Sequence, residues 1–553
     1  MIHMETVRSL MSYLENKQLV QTNNLEFAHI WIQLDPDITA NQLLIFLALS
    51  HYLDRGNIAI NQSMVNQFIF AIGFDQPILL EETLGNSTLV GKIGEFKPFI
   101  IHENLLYSHK NFIQEKQLAE WLITKSKLPI EIENSLLKKI EQTIFYDDND
   151  LQKQALYKSF YNSLLFITGG PGTGKTFTIR EIISAHRSVF GESYSIKIAA
   201  PTGKAAQRIN ESLIDEEVAF KAMTIHQLLG FKDVLKGYKY SIKNPVPADL
   251  IIVDEASMID LNIWIALINA VSKNTRLVVV GDAFQLASVE AGSVFSDICA
   301  APIASNDKAL FQNSITKLEK RHRFSDKSGI KRFADSINDM DSKCALSILE
   351  DSTINDVTWV LPNQENIAHA LSKYAIKPAI DHPSSLMNEY RILSVLRNGK
   401  YGCNQFNSII ESKLKKKLKV AQSNKWYKNR IIMATKNDYR LDIQNGEIGV
   451  YNERTKSVIF EGEKNVLINE LSEFEPGYCI TVHKSQGSEY DHVAIILPDH
   501  ESPILSKELL YTAVTRARKS VLIIGSKKIL TYCINNKIKR ESGLVKQLKV
   551  TMS

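Results

Sequence analysis

The sequence predicts an α/β protein with two parallel-sheet cores, a small β insert in the second core and a mainly helical N-terminal domain. Residues 151–325 and 355–530 alternate short apolar runs with helical stretches, which is the pattern of parallel strands joined by crossover helices. Residues 1–115 instead contain helical stretches such as NQLLIFLALSHYLD at 41–54. We therefore divide the 553-residue chain into 1–115, 116–335 and 336–553.

The β insert is predicted at residues 427–475. Short strand-like runs are broken there by charged turns and by the sequence QNGE at 444–447. Because Asn-Gly is a strong signal for a tight hairpin, this pattern favours antiparallel strands rather than another parallel unit.

Composition narrows the class of protein. The chain is 44% hydrophobic and 23% charged, as in ordinary globular proteins, and its net charge is only +4. Any site for a polyanion must therefore be local. The five cysteines form no C-x-x-C pair, which argues against a disulfide framework or a zinc site and favours a reducing compartment. No apolar run reaches the roughly 18 residues that span a bilayer, so we expect a cytoplasmic protein without a membrane partner.

A phosphate-binding loop opens the first core. The stretch LLFITGGPGTGKTFTIREII at 164–183 predicts a strand, a glycine-rich loop and a helix, and it matches G-x-x-x-x-G-K-[ST]. Glycines let backbone N–H groups turn toward an anion, so the loop predicts a site for ATP. Lys175 is expected at the β- and γ-phosphates and Thr176 at Mg²⁺. The predicted loop contacts are Gly169, Gly170, Pro171, Gly172, Thr173, Gly174, Lys175 and Thr176.

Two later strands of the first core end in polar residues suited to a triphosphate. The stretch DLIIVDEASMID at 249–260 ends its strand in Asp254, a candidate Mg²⁺ ligand, and Glu255, a candidate base for the attacking water. Gln285 follows the next strand and is expected near the γ-phosphate. Taken singly, these could be solvated surface residues, but their position at strand ends favours the nucleotide site.

Two arginines are candidates for stabilising charge on the transferred phosphate. Arg323 lies in KLEKRHRF at the end of the first core, and Arg516 lies in LLYTAVTRARKS in the second. If Arg516 completes the site, hydrolysis requires the second core to close on the first. Arg321 and Arg518 are interpreted as surface ion pairs.

In order, these motifs resemble those of superfamily 1 helicases, and specifically the RecD family, the alpha subunit of exodeoxyribonuclease V (RecBCD). The resemblance covers nearly the whole chain and is weakest at the N-terminus. It rests on the series GGPGTGKT, AAPTGKAAQR, TIHQLLG, IIVDEASM, GDAFQLASVEAGSVF, HRF, TVHKSQGSEYDHV and LLYTAVTRAR. It implies two RecA-like P-loop NTPase domains, an SH3-like β insert and an N-terminal domain that docks on a partner.

The resemblance also implies roles and partners. Gln152 lies where the family reads adenine, and Glu489 lies where the family faces the sugar and phosphates. The implied activity is ATP-dependent 5′-to-3′ translocation on single-stranded DNA, within a heterotrimer with RecB-like and RecC-like subunits that processes double-strand DNA ends in recombinational repair. One departure is KLEKRHRF, where Arg321 and His322 replace a small residue and a tyrosine. We find no carboxylate–lysine nuclease cluster outside the ATP site, so nuclease activity is expected from a partner.

The DNA strand is expected along a second set of helix starts and short polar side chains. AAPTGKAAQR at 199–208 places a turn before a helix, which suits a second polyanion. Mostly backbone contacts, little sequence specificity and strong salt dependence are expected. Each histidine could instead be structural, and the basic run 413–430 is interpreted as a solvated helix face with Trp426 and Tyr427 against the insert. The candidate DNA contacts are Pro201, Thr202, Lys204, Thr224, His226, Thr481, His483 and Ser485.

Two other functions remain open from the sequence. A stand-alone RecD-like or conjugative helicase would usually carry a longer N-terminal extension than residues 1–115. A nucleotide-dependent structural subunit would grip DNA without productive unwinding, but intact Lys175, Glu255 and Arg516 disfavour it.

Overall fold

The computed structural model describes residues 6–17, 19–128, 130, 132–143, 150–213, 221–233, 237–288, 290–301, 313–319, 328–438 and 440–550. Its strands are β1 (Ala59–Asn61), β2 (Val90–Gly91), β3 (Phe99–His102), β4 (Leu105–Ser108), β5 (Leu164–Gly169), β6 (Ile196–Ala200), β7 (Met223–Thr224), β8 (Leu250–Val253), β9 (Arg276–Gly281), β10 (Ile315–Leu318), β11 (Val357–Val360), β12 (Tyr390–Ser394), β13 (Ile431–Ala434), β14 (Ile448–Asn452), β15 (Ser457–Phe460), β16 (Asn465–Leu467), β17 (Phe474–Pro476), β18 (Cys479–Thr481), β19 (Tyr490–Ile496) and β20 (Ala517–Ile524).

The described α-helices are α1 (Val7–Lys17), α2 (Thr22–Leu34), α3 (Ala40–Leu53), α4 (Gln62–Ala71), α5 (Leu80–Leu84), α6 (His109–Lys127), α7 (Asn134–Thr143), α8 (Leu151–Tyr161), α9 (Lys175–Phe190), α10 (Gly203–Ser212), α11 (Ile225–Leu228), α12 (Leu261–Ala270), α13 (Val294–Ala300), α14 (Gly329–Asn338), α15 (Ser342–Glu350), α16 (Gln364–Leu371), α17 (Lys377–Asp381), α18 (Ser385–Asn388), α19 (Cys403–Lys417), α20 (Lys507–Val514), α21 (Lys527–Asn535) and α22 (Leu544–Val550). Short 3-10 turns lie at Ala256–Met258, Glu461–Glu463 and His483–Ser485, and a π-helical turn at Ser372–Ile376. Among these helices, none is both long enough and apolar enough to cross a membrane.

The N-terminal region combines α1 to α5 with a small sheet in the order β1-β4-β3-β2. Helix α3 is buried over residues 42–49 and begins at a capping box between Thr39 and Gln42, which explains why its apolar run is helical rather than extended. The sheet was not predicted from the sequence, because strands of two to four residues are too short to show a period of two.

The first core is a six-stranded parallel sheet in the order β10-β5-β9-β8-β6-β7. Strands β5 and β8 are buried along their whole length because helices cover both faces, so their sequences are continuously apolar. The phosphate-binding loop follows β5, as the sequence predicts, and its helix α9 begins at Lys175. Strands β5, β9 and β8 are neighbours in this sheet, so their carboxyl ends lie side by side.

The second core is a five-stranded parallel sheet in the order β11-β20-β19-β12-β18. A separate antiparallel sheet, β16-β15-β14-β13-β17, spans residues 431–476, where the sequence predicts a β insert. The predicted Asn-Gly turn connects β13 to β14, with Gly446 at φ +87° and its N–H donating to the carbonyl of Ala434. We call this sheet the insert.

The last residues of the chain leave the second core and return to the first. The carbonyl of Glu541 accepts hydrogen bonds from the N–H groups of Ile58 and Ala59, and α22 packs between α6 and α13. The carboxylate of Glu115, on α6, accepts from the N–H of Gly543 at 3.1 Å and from the side chain of Gln547 at 3.0 Å. The C-terminal segment 537–550 therefore joins the N-terminal region to the first core.

Glu115 makes the docking of this segment pH-dependent. Burial and the nearby charge of Asp297 raise the pKa of Glu115 to about 8, above an ordinary value of 4.5. An acid whose pKa is raised by folding stabilises the fold fully below its unfolded pKa, and this stability is lost as the pH rises toward 8. We predict that Glu115→Gln, which keeps an acceptor oxygen, raises the melting temperature by about 1–3 °C at pH 8 and has no such benefit near pH 5.

Differential scanning fluorimetry across pH 5–8.5 measures this difference. Glu120→Gln, on the same helix but in an exposed pair with Lys116, is the matched control and should show no pH-dependent gain. An equal change for Glu115→Gln at both pH values would contradict the explanation.

Candidate functional site

A pocket of about 380 Å³ lies between the two parallel-sheet cores. Its walls come from the carboxyl ends of β5, β8 and β9 in the first core and from the amino ends of β19 and β20 in the second. It brings together ten of the predicted nucleotide-site residues, which are Pro171, Gly172, Gly174, Lys175, Thr176, Asp254, Glu255, Gln285, Glu489 and Arg516. Gly169, Gly170 and Thr173 line an adjoining cavity of about 830 Å³.

The phosphate-binding loop is held by its own polar groups. Gly172 and Gly174 have φ of +76° and +84°, a conformation that side chains rarely adopt. The ammonium of Lys175 donates to the carbonyls of Gly169 at 2.7 Å and Gly170 at 3.0 Å. The side chain of Gln152 donates to the carbonyl of Thr173 at 3.0 Å, so Gln152 lies against the loop.

Asp254 and Glu255 form a close pair of carboxylates at the end of β8. Burial and the charge of Glu255 raise the pKa of Asp254 to about 6, although Lys175 and Arg208 oppose the shift. Glu255 has φ +53°, a left-handed conformation that is strained for a residue with a side chain. Its Oε2 atom is buried and has no hydrogen-bond partner among the described residues. The strained backbone and the unpartnered buried oxygen of Glu255 both cost free energy, and the two carboxylates line the pocket.

The loop after β9 joins the cores beside Gln285. The Gln285 amide donates to Asp282, which also accepts from the hydroxyl of Tyr511 on α20. The N–H of Leu286 donates to Thr512 Oγ1 at 2.9 Å, and Gln486 Nε2 donates to the carbonyl of Leu286 at 2.8 Å. Gln285 therefore lies in the pocket and in the loop that is hydrogen-bonded to the second core, so a movement of this side chain can be transmitted to that core.

Arg516 and Glu489 are the second core's contribution to the pocket. Arg516 is 2% exposed, and its guanidinium donates to the carbonyls of Thr512 at 3.0 Å and Ser488 at 3.1 Å. Glu489 is paired with Arg518, whose Nε lies 3.2 Å from Oε2 and which is 43% exposed. Arg323, the other arginine predicted to stabilise charge on the transferred phosphate, lies outside the described residues, and so does Arg321.

Arg208 is a pocket residue that is not among the site residues predicted from the sequence. The sequence places Arg208 on the helix that follows AAPTG, whose start is expected to suit a second polyanion. In the structure it lines the nucleotide pocket, and its Nη2 lies 2.6 Å from Glu489 Oε2. Ala205, Arg208 and Ile209 are spaced three and four residues apart, so one face of α10 turns to the pocket. The sequence shows from this spacing that the three residues share one face of the helix, but it does not show which polyanion that face contacts.

The predicted DNA contacts fall into three groups, of which the first lies at helix starts. Three threonine hydroxyls accept hydrogen bonds from backbone N–H groups. They belong to Thr202, Thr224 and Thr481, at the starts of α10, α11 and the 3-10 turn at 483–485. Ser485 is fully buried and donates to the carbonyl of Val482. These four side chains shape the local backbone, and Pro201 precedes the first of these caps.

The two histidines have aromatic or buried surroundings. His226 lies against the rings of Phe231 and Tyr238, with centroids 5.5 and 6.3 Å away. Burial, together with the positive charge of Arg540, lowers the pKa of His483, which keeps this ring neutral at physiological pH. Their predicted DNA contacts stay predictions.

Lys204, the remaining candidate, is held by the insert. Its Nζ lies 3.3 Å from Glu461 Oε1, and the two side chains are only 13% and 10% exposed. Burial disfavours the ammonium, but the charges of Tyr490 and Glu461 outweigh burial and raise the pKa of Lys204. The side chain of Gln444 packs directly over Gly203, leaving no room for a Cβ atom there. The insert therefore covers the start of α10.

The basic run 413–430 is helical only as far as Lys417, where α19 ends, and residues 418–430 form turns and a loop beside the insert. Trp426 packs on Tyr451 and Phe474 of the insert, with centroids 4.9 and 5.2 Å away. Tyr427 is buried and its hydroxyl donates to Glu411.

Comparisons with known proteins find relatives of both parallel-sheet cores. An AAA domain matches residues 152–291, and a UvrD-like helicase C-terminal domain matches residues 476–524. The RecBCD enzyme subunit RecD of Buchnera aphidicola subsp. Acyrthosiphon pisum is 29% identical over 498 residues, which are 80% of this chain and 83% of that protein. The RecBCD enzyme subunit RecD of Mycobacterium tuberculosis is 32% identical over 487 residues, 82% of each chain. The ATP-dependent RecD2 DNA helicase of Deinococcus radiodurans is 30% identical over 371 residues, but these are only 47% of that protein.

The Lys204–Glu461 pair predicts how the insert affects DNA binding. Glu461→Gln should release the Lys204 ammonium and raise affinity for single-stranded DNA by about fivefold, because a strand then displaces a neutral amide instead of a carboxylate, a difference of roughly 1 kcal/mol. Fluorescence anisotropy with labelled oligo(dT) at low salt measures the change.

A matched control lies in the same insert. Glu473→Gln removes a carboxylate whose partner, Lys436, is exposed, so the affinity should stay at the wild-type value. If Glu461→Gln also binds DNA like the wild type, Lys204 is not a DNA contact that the insert restrains.

Proposed function

We propose that this chain, which belongs to the RecD family, is the ATP-driven DNA helicase subunit of a RecBCD-type exodeoxyribonuclease V. It translocates on single-stranded DNA in the 5′-to-3′ direction and helps open double-strand ends for recombinational repair, together with RecB-like and RecC-like subunits. The observation that carries the proposal is a single pocket in which Lys175 of the first core and Arg516 of the second face the same space. A stand-alone RecD2-like role is not favoured, because the chain matches RecBCD subunits over a much larger share of their length.

The residues at the pocket fit a nucleotide with Mg²⁺. Magnesium is commonly held by one or two protein oxygens and by substrate phosphates, and Thr176 and Asp254 supply such oxygens here. The unpartnered Glu255 oxygen and the raised pKa of Asp254 mark a place where positive charge is missing. A bound Mg²⁺ would neutralise charge on the phosphates.

The protein's own groups divide the hydrolysis between them. Lys175 exchanges the carbonyls of its loop for β- and γ-phosphate oxygens. Glu255 takes a proton from the water that attacks the γ-phosphorus, and the bond from that phosphorus to the bridging oxygen breaks to release ADP. Arg516 stabilises the charge that develops on the transferred group, and Gln285 reports its loss through the loop that contacts α20.

Two further assignments support a role in a larger assembly. On α2, Phe27, Ile30 and Leu34 lie on one face and are 50%, 48% and 59% exposed. We assign this apolar face, in domain 1–115, to docking on a RecB-like or RecC-like subunit. We assign domains 116–335 and 336–553 to the two motor cores, with segment 537–550 of the latter packing on the first core, and we assign the insert an SH3-like fold. The free cysteines suit the cytoplasm.

The proposal predicts ATP turnover that single-stranded DNA stimulates and unwinding of a 5′-tailed duplex in preference to a 3′-tailed one. Lys175→Gln should lower turnover by about 100-fold or more, because it removes charge from the phosphate site, while DNA affinity stays near wild type. Assays use the purified chain, alone and with its partner subunits. Normal turnover in a folded Lys175→Gln protein, or no stimulation by DNA in the wild type, would refute the assignment.

Arg516→Ala should affect the chemical step more than nucleotide affinity. We expect kcat to fall by about 100-fold or more, because the guanidinium acts on charge present mainly in the transition state. Nucleotide affinity, measured by fluorescent-nucleotide titration, should change by less than about fivefold. Arg516→Lys tests whether buried positive charge alone suffices. A loss of affinity equal to the loss of kcat would place Arg516 in ground-state binding.

A further inference from the structure

Helix α10 connects the two sites of the molecule. Its first residues, Gly203 and Lys204, belong to the predicted DNA contact and are covered by the insert, and its second turn carries Arg208 into the nucleotide pocket. Arg208 follows Lys204 by four residues, a rise of about 6 Å along the helix. One short rigid helix thus carries a predicted DNA contact in its first turn and a pocket residue near its middle.

Arg208 also joins the two cores. Its Nη2 lies 2.6 Å from Oε2 of Glu489, which immediately precedes β19 of the second core. The Glu489 side chain is 6% exposed and that of Arg208 is 29% exposed, so solvent screens the pair only in part. The charge of Glu489 raises the pKa of Arg208 despite its burial, and Glu255 and Asp254 add to this shift.

Glu489 has a second cationic neighbour that provides an internal comparison. Arg518 lies 3.2 Å from the same oxygen, but it belongs to β20 of the second core and its side chain is 43% exposed. Arg518 can hold Glu489 only within its own core. Arg208 holds Glu489 across the boundary between the cores.

We propose that Arg208 is a positioning residue that couples nucleotide binding to DNA binding through its ion pair with Glu489. The inference rests on the proposed function and adds a coupling residue to it. A nucleotide needs both cores at the pocket, which is the arrangement in which Arg208 meets Glu489. The pair fixes α10 against the second core in that arrangement, so the start of α10 and the insert side chains that cover it hold one orientation whenever the pocket is filled.

Coupling is measured as the ratio of two dissociation constants for labelled oligo(dT), without and with a non-hydrolysable ATP analogue at a concentration that saturates each variant, as established by a nucleotide titration of that variant. In the wild-type chain we expect a ratio of about fivefold or more, in the range typical of coupled sites. Arg208→Met and Arg208→Gln should bring the ratio to within about twofold of one, with DNA affinity in the absence of nucleotide changed by less than about threefold. Arg208→Lys should keep most of the coupling, because it keeps the charge.

Arg518→Met is the matched control and should couple like the wild type. The inference is overturned if Arg208→Met or a folded Arg208→Gln couples like the wild type, if Arg518→Met loses coupling equally, or if Arg208→Lys is no better than Arg208→Met. Melting temperatures identify any variant that fails to fold, in which case the remaining Arg208 variants decide. A wild-type chain without DNA-stimulated ATP turnover refutes the proposed function itself, whereas normal turnover with coupling that is independent of Arg208 refutes only this inference.

Discussion

The arrangement of the two cores depends on buried hydrogen bonds between the loop after β9 and the second core. Asp282 and Thr512 are fully buried and Leu286 nearly so, so water competes little for the bonds that join Tyr511 to Asp282 and Thr512 to Leu286. The backbone carbonyl of Thr512 also accepts a hydrogen bond from the Arg516 guanidinium. The contact that joins the cores therefore also orients the arginine at the pocket.

Cations at the pocket differ in what a phosphate must displace. Lys175 and Arg516 are bonded to backbone carbonyls, whereas Arg208 is bonded to a carboxylate. A charged pair is stronger than a bond to a neutral carbonyl, so incoming phosphate replaces the partners of Lys175 and Arg516 more readily. This difference separates groups suited to binding and chemistry from one suited to holding the cores in register.

The sequence predicted those parts of the site that follow from the ends of parallel strands. Asp254 comes directly after an apolar strand, Lys175 and Gln285 follow other apolar strands after short loops, and neighbouring strands bring the three together. The Glu115–Gly543 and Lys204–Glu461 contacts were not predicted, because residues hundreds of positions apart leave no local pattern. Arg208 was not predicted as a pocket residue for a related reason: the periodicity of α10 shows which residues share a face, but not what that face meets.

The threonine caps explain why a DNA site here must depend on backbone geometry. Thr202, Thr224 and Thr481 use their hydroxyls within the protein, so a strand at the predicted contacts would meet helix starts rather than free hydroxyl groups. Contact with a DNA backbone then depends on how each helix start is oriented. Because α10 has only ten residues, about 15 Å in length, a tilt imposed at Arg208 reaches its first turn undiminished. Under the proposed coupling, nucleotide would thus alter the grip on DNA through the orientation of a helix rather than through a change of side chains.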